Sequence, residues 1–186
     1  REIADLCALL GTARLLTLTG MGGLGKTRLA LEVAVRALED HADGVWFVEL
    51  ASLSDPARVR QAVASALGVS EEGARSVMDS LLQFVADRSL LVVLDNCEHL
   101  VGACAELATR LLQAGAGVRV LATSRENLHV RGETTYPVPA LSVPEAGGKM
   151  APEAMVHCDA VRLFIDRALA AQPLFRLTAD NAAAVT

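Results

Sequence analysis

Leu15-Leu16-Thr17-Leu18-Thr19, then Gly20-Met21-Gly22-Gly23-Leu24-Gly25-Lys26-Thr27, then an Ala- and Leu-rich run to Glu39, is the stretch that decides the fold. The first five residues are apolar and β-prone and read as a buried strand. The run from Thr27 to Glu39 reads as a helix. Between them stands G-x-x-x-x-G-K-[ST], in the strand–loop–helix setting that gives this pattern its meaning. Glycines let such a loop wrap tightly with its N–H groups turned inward, and the helix that follows offers its positive dipole end to an anion. The expectation is a cradle for the phosphates of a Mg-nucleotide. Gly20, Gly22, Gly23, Leu24, Gly25 and Arg28 form its wall, Lys26 reaches the β- and γ-phosphates, and Thr27 offers a hydroxyl to Mg²⁺. The alternative is a glycine-rich turn whose lysine faces solvent. Only Lys26 and Lys149 among the 17 basic residues are lysines, so a lysine in this loop is no product of a lysine-rich composition.

Outward from the loop, strands and helices alternate. Ile3, Leu6, Cys7 and Leu10 recur at helical spacing, with Gly11 as the expected stop. Strands are predicted over Val45–Leu50, Leu90–Leu94, Val118–Ala122 and Tyr136–Val138, with helices starting at Asp55-Pro56 and running over Ala74–Asp87 and Glu98–Gln113. Gly68 and the glycines at 115 and 117 punctuate them. A loop over 142–156 and a terminal helix over 157–171, with Val161, Phe164, Ile165 and Ala168 on one face, complete the reading. The pattern predicts one three-layer α/β/α domain over 1–186, with a mainly parallel five-stranded sheet. Its ligand edge lies beyond the carboxyl ends of the strands, where Gly20, Asp95 and Arg125 converge.

Asp95 follows the apolar strand Leu90–Leu94, as in a Walker B element, and is expected to hold the metal directly or through its water. Read otherwise, it caps the next helix, with Glu98 closing a D-x-x-E box. The residue after it is Asn96, which can hydrogen-bond water but cannot take its proton. Hydrolysis is therefore expected to be slow unless Glu98 or His99 serves as base. Arg125 closes Thr123-Ser124-Arg125 and is expected to reach the γ-phosphate, the alternative being a surface pair with Glu126 or Glu133. Catalytic roles thus fall to Asp95, Glu98 and Arg125, and metal binding to Thr27 and Asp95.

Composition sets limits. An apolar content of 52% with only 3% aromatics suits helices packed on a parallel sheet and argues against disorder. A formal net charge of −5 gives this segment no electrostatic reason to grip nucleic acid or an anionic membrane. Cys7, Cys97, Cys104 and Cys158 form no C-x-x-C pair, and His99 and His157 complete no zinc pattern, so thiols in a reducing cytoplasm are expected. No signal peptide or membrane-spanning run is read. The opening at Arg1-Glu2 and the end at Thr186 suggest a piece of a longer protein.

Three segments together resemble the NB-ARC/STAND signal-transduction ATPases, and most of all the central module of SARP- and LuxR-like bacterial transcriptional regulators. They are residues 20–27, Leu91-Val92-Val93-Leu94-Asp95-Asn96-Cys97-Glu98-His99-Leu100 and Leu121-Ala122-Thr123-Ser124-Arg125-Glu126. Tyr136–Leu141 and Leu163–Ala168 extend the likeness. The resemblance implies a switch in which ADP holds a closed form and ATP opens it and promotes self-association. It implies DNA contact through another domain and a sensor arginine at Arg125. The family's element before the first helix is represented only by Arg1-Glu2, and its Gly-Leu-Pro-Leu-Ala-like and winged-helix elements are missing, which implies weakened nucleotide binding by this stretch. A P-loop enzyme that passes phosphate to a small molecule is the other reading, although no acceptor-site cluster or arginine-rich lid is seen. A GTPase would need an N/T-K-x-D motif, and neither lysine lies in one.

Overall fold

The computed structural model describes residues 2–70, 75–144 and 152–185, and contacts divide the chain into two compact units, Arg1–Val138 and Pro139–Thr186, where sequence had suggested one domain. In the first unit the strands are β1 (Leu15–Thr19), β2 (Val45–Glu49), β3 (Leu90–Asp95), β4 (Val118–Ser124) and β5 (Glu133–Pro137). They form one sheet in the order β2-β3-β4-β1-β5, every neighbouring pair parallel. Helix α1 (Glu2–Thr12) precedes β1; parallel neighbours need a crossover, and most of these connections are helical: α2 (Lys26–Arg36), α3 (Val59–Ala66), α4 (Val77–Val85) and α5 (Val101–Ala114).

Side-chain alternation along β3 shows why the sheet needs both layers. Leu90, Val92 and Leu94 enter one core with residues of α3, α4 and α5, whereas Leu91 and Val93 enter the other with Leu6, Leu10, Ala30 and Val33 of α1 and α2. All five are fully buried. A strand covered on both faces has no use for a polar position, so it reads as a continuous apolar run. Burying each such side chain contributes roughly 1.5–3 kcal/mol.

Several expected boundaries move for local reasons. Gly11 lies inside α1, which continues to Thr12. A glycine in a last turn costs only about 1 kcal/mol, and the guanidinium of Arg119 donates to the carbonyls of Leu10, Gly11 and Ala13 at the helix end. The helix expected to reach Glu39 tightens to a 3₁₀ turn over Ala37–Asp40, and another 3₁₀ turn, Pro56–Arg58, precedes α3. Asp55 caps that turn by accepting from the Ala57 amide at 2.9 Å. The expected start at Ala74 lies outside the described residues; α4 itself begins after Ser76, whose hydroxyl accepts from the Asp79 amide. Strand β5 begins at Glu133, earlier than expected, because Glu133 turns its carboxylate back onto the amides of Leu128 and Val130 and fixes the turn before it.

The second unit holds α6 (Pro152–Met155), α7 (Asp159–Ala171) and α8 (Ala179–Val185). The loop expected over 142–156 therefore contains a helical turn, with proline at its first position, where a missing N–H costs nothing. Residues 145–151 of that loop lie outside the described residues. The helix expected over 157–171 starts at Asp159 and is not terminal. Ser142 fixes the start of α7, its hydroxyl accepting from the Asp159 amide at 2.8 Å. Met155, Val161 and Ala182 form this unit's small core, with Ile165 against it. Phe164, expected on that face, is exposed and meets Phe175 edge to face at 5.8 Å.

Candidate functional site

The carboxyl ends of three adjacent strands, β3, β4 and β1, converge on one point. After β1 the chain passes through Gly20 (φ 146°), Gly23 (φ 84°) and Gly25 (φ 82°) before entering α2. At Gly20 the turn is also crowded: a Cβ there would stand 2.9 Å from the Leu24 side chain. Gly25 is the residue before α2 and offers no side chain to cap it. The first amides of a helix have no partner within the helix, so those of α2 remain available to an anion.

Lys26 does not face solvent. It is 7% exposed, and its Nζ donates to the carbonyls of Gly20 at 2.7 Å and Met21 at 2.9 Å, closing the loop around the ammonium. A buried ammonium must have such partners. The lysine is thus not the solvent-facing one of the glycine-turn alternative. Arg28 and Met21 are exposed, and Arg28 has no hydrogen-bond or ion-pair partner among the described residues.

Asp95 is 2% exposed at the end of β3. Thr27 donates from its Oγ1 to Oδ1 at 2.8 Å, with Oδ2 at 3.1 Å. From β4, Thr123 Oγ1 donates to Asp95 Oδ1 at 2.5 Å and accepts from the Asn96 amide at 2.9 Å. The carboxylate thus joins β3 and β4 to the start of α2. It caps no helix: Asn96 follows in the left-handed region (φ 63°), a 3₁₀ turn spans Cys97–His99, and α5 starts at Val101 without a side-chain cap. The capping-box alternative for Asp95 and Glu98 fails, because the left-handed residue turns the chain before a box can form. Asparagine is among the residues that tolerate this conformation best.

Glu98 and Arg125 meet. Arg125 Nε donates to Glu98 Oε1 at 3.1 Å, while Glu98 Oε2 is buried without a partner. The Arg125 guanidinium also lies against the loop, its Nη2 being 3.7 Å from where a Cβ of Gly22 would stand. The partners considered from sequence, Glu126 and Glu133, are not the ones used, since Glu133 is spent on the turn before β5. His99 Nε2 lies 3.1 Å from the Leu50 carbonyl and 2.7 Å from that of Leu53. Carbonyls only accept, so Nε2 carries the hydrogen and ties this turn to the chain after β2. That nitrogen cannot act as a base.

Cys97, buried beside Asp95, holds its thiol well above the ordinary range. A hydrogen bond with Cys104, burial, and the negative charges of Asp95 and Glu98 all favour the protonated form. Thr123 had no assigned role in sequence. Its signal was a hydroxyl closing an apolar strand, legible only once β4 is known to lie beside β3.

A family profile described as an AAA domain matches residues 9–129. A Mycobacterium tuberculosis protein with the name "Putative HTH-type transcriptional regulator" is 44% identical over 178 residues, covering 96% of this chain and 18% of that protein. The chain therefore spans under a fifth of that relative's length. An uncharacterized M. tuberculosis protein is 36% identical over 184 residues, with 99% and 44% covered. Among solved structures, Cdc6p from Pyrobaculum aerophilum has a TM-score of 0.59 at 13% identity, covering 91% of this chain and 48% of that one. A STAND protein with a tetratricopeptide repeat sensor from Pyrococcus horikoshii has 0.54 at 15%, covering 95% and 26%. At such identities the likeness concerns the fold, which is the three-layer α/β/α arrangement of P-loop NTPases.

Proposed function

From the premise that this chain belongs to the AAA domain family, we propose that it is an ATP/ADP-binding switch module of a bacterial transcriptional regulator. In this reading hydrolysis is slow at most and the module works in the cytoplasm. The observation that carries the proposal is the closed loop around Lys26, with the Thr27–Asp95 pair beside it. An ammonium held only by two carbonyls of its own loop can exchange those partners for phosphate oxygens without moving far. Open amides at the start of α2 add donors aimed at the same place.

The residues fit a magnesium ion. Thr27 Oγ1 and the Asp95 carboxylate form an all-oxygen set, as a hard cation requires. Among the described residues no cluster of three or more His, Cys, Asp or Glu could hold a metal. Magnesium in phosphate sites takes only one or two protein oxygens and the rest from phosphate and water. When bound, the ion would neutralise charge on the phosphates. The chain's own residues position and exclude: Thr123 holds Asp95 in place, Lys26 fixes the phosphate tail, and Arg125 stands ready beside Gly22.

In this reading slow turnover follows from Asn96 and from the Glu98–Arg125 pair, which engages one oxygen of the carboxylate considered as base. The finer family reading, NB-ARC/STAND with ADP closing and ATP opening the molecule, draws support from the motifs at 20–27, 91–100 and 121–126. The name of the 44% identical relative supports a DNA-binding domain elsewhere in the full protein. No helix among the described residues is long and apolar enough to cross a membrane.

Hydrolysis under single-turnover conditions tests the switch reading. The protein should release phosphate slowly, and Asn96→Asp should raise the rate, since aspartate also tolerates the left-handed conformation. Rapid turnover by the unaltered protein, or efficient phosphate transfer to a small-molecule acceptor in a coupled assay, would favour a metabolic enzyme instead.

A further inference from the structure

At the opposite end of α2 from the phosphate loop lies a cavity of about 510 Å³. One part of its wall is apolar, from Cys7 and Leu10 of α1 and Ala37 after α2. The other part is charged or polar, from Arg36, Asp40, His41 and Arg119. The size falls within the range of small-molecule sites, roughly 300–1,000 Å³.

His41 marks this cavity as more than a surface groove. It is 5% exposed, and its Nδ1 lies 2.8 Å from the Ala37 carbonyl. Because that carbonyl can only accept, Nδ1 carries a hydrogen, and in the neutral ring Nε2 is a bare acceptor. Nε2 is buried and has no partner. A buried polar atom in that condition calls for a ligand group or a water that donates to it.

The charges around it are uncommitted in a particular way. Arg119 is occupied, its guanidinium donating to Leu10, Gly11 and Ala13 carbonyls at the end of α1. Arg36 and Asp40, both exposed at the rim, have no hydrogen-bond or ion-pair partner among the described residues. A free guanidinium is shaped for a carboxylate, and a free carboxylate for an ammonium. A simple anion would be opposed by Asp40, and a simple cation by Arg36 and Arg119.

We propose that this cavity binds a small zwitterion of the free α-amino acid class. Arg36 takes the carboxylate, Asp40 the ammonium, His41 Nε2 accepts one N–H, and the side chain packs against Cys7, Leu10 and Ala37. The site lies on the far ends of the elements that build the phosphate site, α2 from Lys26 and β4 to Ser124, but its occupancy does not depend on the nucleotide reading.

The test uses the 186-residue protein with ¹⁵N-labelled histidine, titrated with a panel of free L-amino acids and, separately, with acetate and methylammonium. Calorimetry gives affinity and the His41 ring resonances report the acceptor nitrogen. At least one amino acid should bind with Kd below about 1 mM and shift the Nε2 signal, and both half-probes should bind at least about tenfold more weakly. Arg36→Ala and Asp40→Ala change exposed residues, so the fold should persist by circular dichroism, and each should weaken binding by about tenfold or more. The proposal is overturned if no amino acid binds by about 10 mM, if acetate binds as well as the amino acid, or if either variant leaves affinity unchanged.

Discussion

Glu98→Gln is the perturbation with the most specific consequence. In the structure, Glu98 Oε1 holds Arg125 Nε at 3.1 Å, with side-chain exposures of 21% for the glutamate and 67% for the arginine. An ion pair that open to water is worth about 1 kcal/mol at most. Removing the charge should therefore change global stability little, shifting the melting temperature by no more than about 2–4 °C for a domain of this size. If Arg125 must leave Glu98 to reach a terminal phosphate, the same 1 kcal/mol or so opposes triphosphate binding. Glu98→Gln should then tighten a non-hydrolysable ATP analogue by up to about fivefold and leave ADP unaffected. Calorimetric titration of both nucleotides, with unfolding curves of both proteins, provides the comparison. Equal tightening for ADP, or none for the analogue, would show that Glu98 does not compete with phosphate for Arg125.

Other outcomes follow from the same geometry. Thr123→Val removes the hydroxyl that joins Asp95 to the Asn96 amide and should cost about 1–3 kcal/mol in urea unfolding; a smaller loss would mean that Asp95 is held without it. Gly115→Ala should destabilise by about 1–3 kcal/mol or more, because a Cβ there would stand 2.4 Å from the Val85 carbonyl oxygen; a stable variant would show that α5 can shift freely. In native protein a disulfide reagent should modify the half-buried Cys7 and Cys158 and spare Cys97, which is buried and kept protonated, until denaturant is added. Fast reaction at Cys97 would contradict its packing beside Asp95.

Sequence carried much of this because the informative features are local. The loop needs glycines at positive φ and a lysine at its end, and both appear as letters in a row. Strands buried on both faces announce themselves by apolar runs such as Leu90–Leu94. What stayed hidden depends on which strand lies beside which. Thr123 serves Asp95 only because β4 sits next to β3, and nothing in its own neighbourhood says so. Arg125 chose Glu98, 27 residues away, over the nearer Glu126 and Glu133. His99 looked like a possible base until two carbonyls from the chain after β2 claimed its Nε2. The division after Val138 falls beside a proline- and glycine-rich stretch that sequence marks only as a loop.

Nucleotide affinity at Lys26 decides whether the loop is a phosphate site. Calorimetric titration of Mg-ADP and Mg-ATP into the unaltered protein and into Lys26→Ala, with circular dichroism to confirm that both are folded, measures it. Binding by the unaltered protein and at least about a hundredfold weaker binding by the variant is the predicted result. Equal affinity in the two proteins would contradict it.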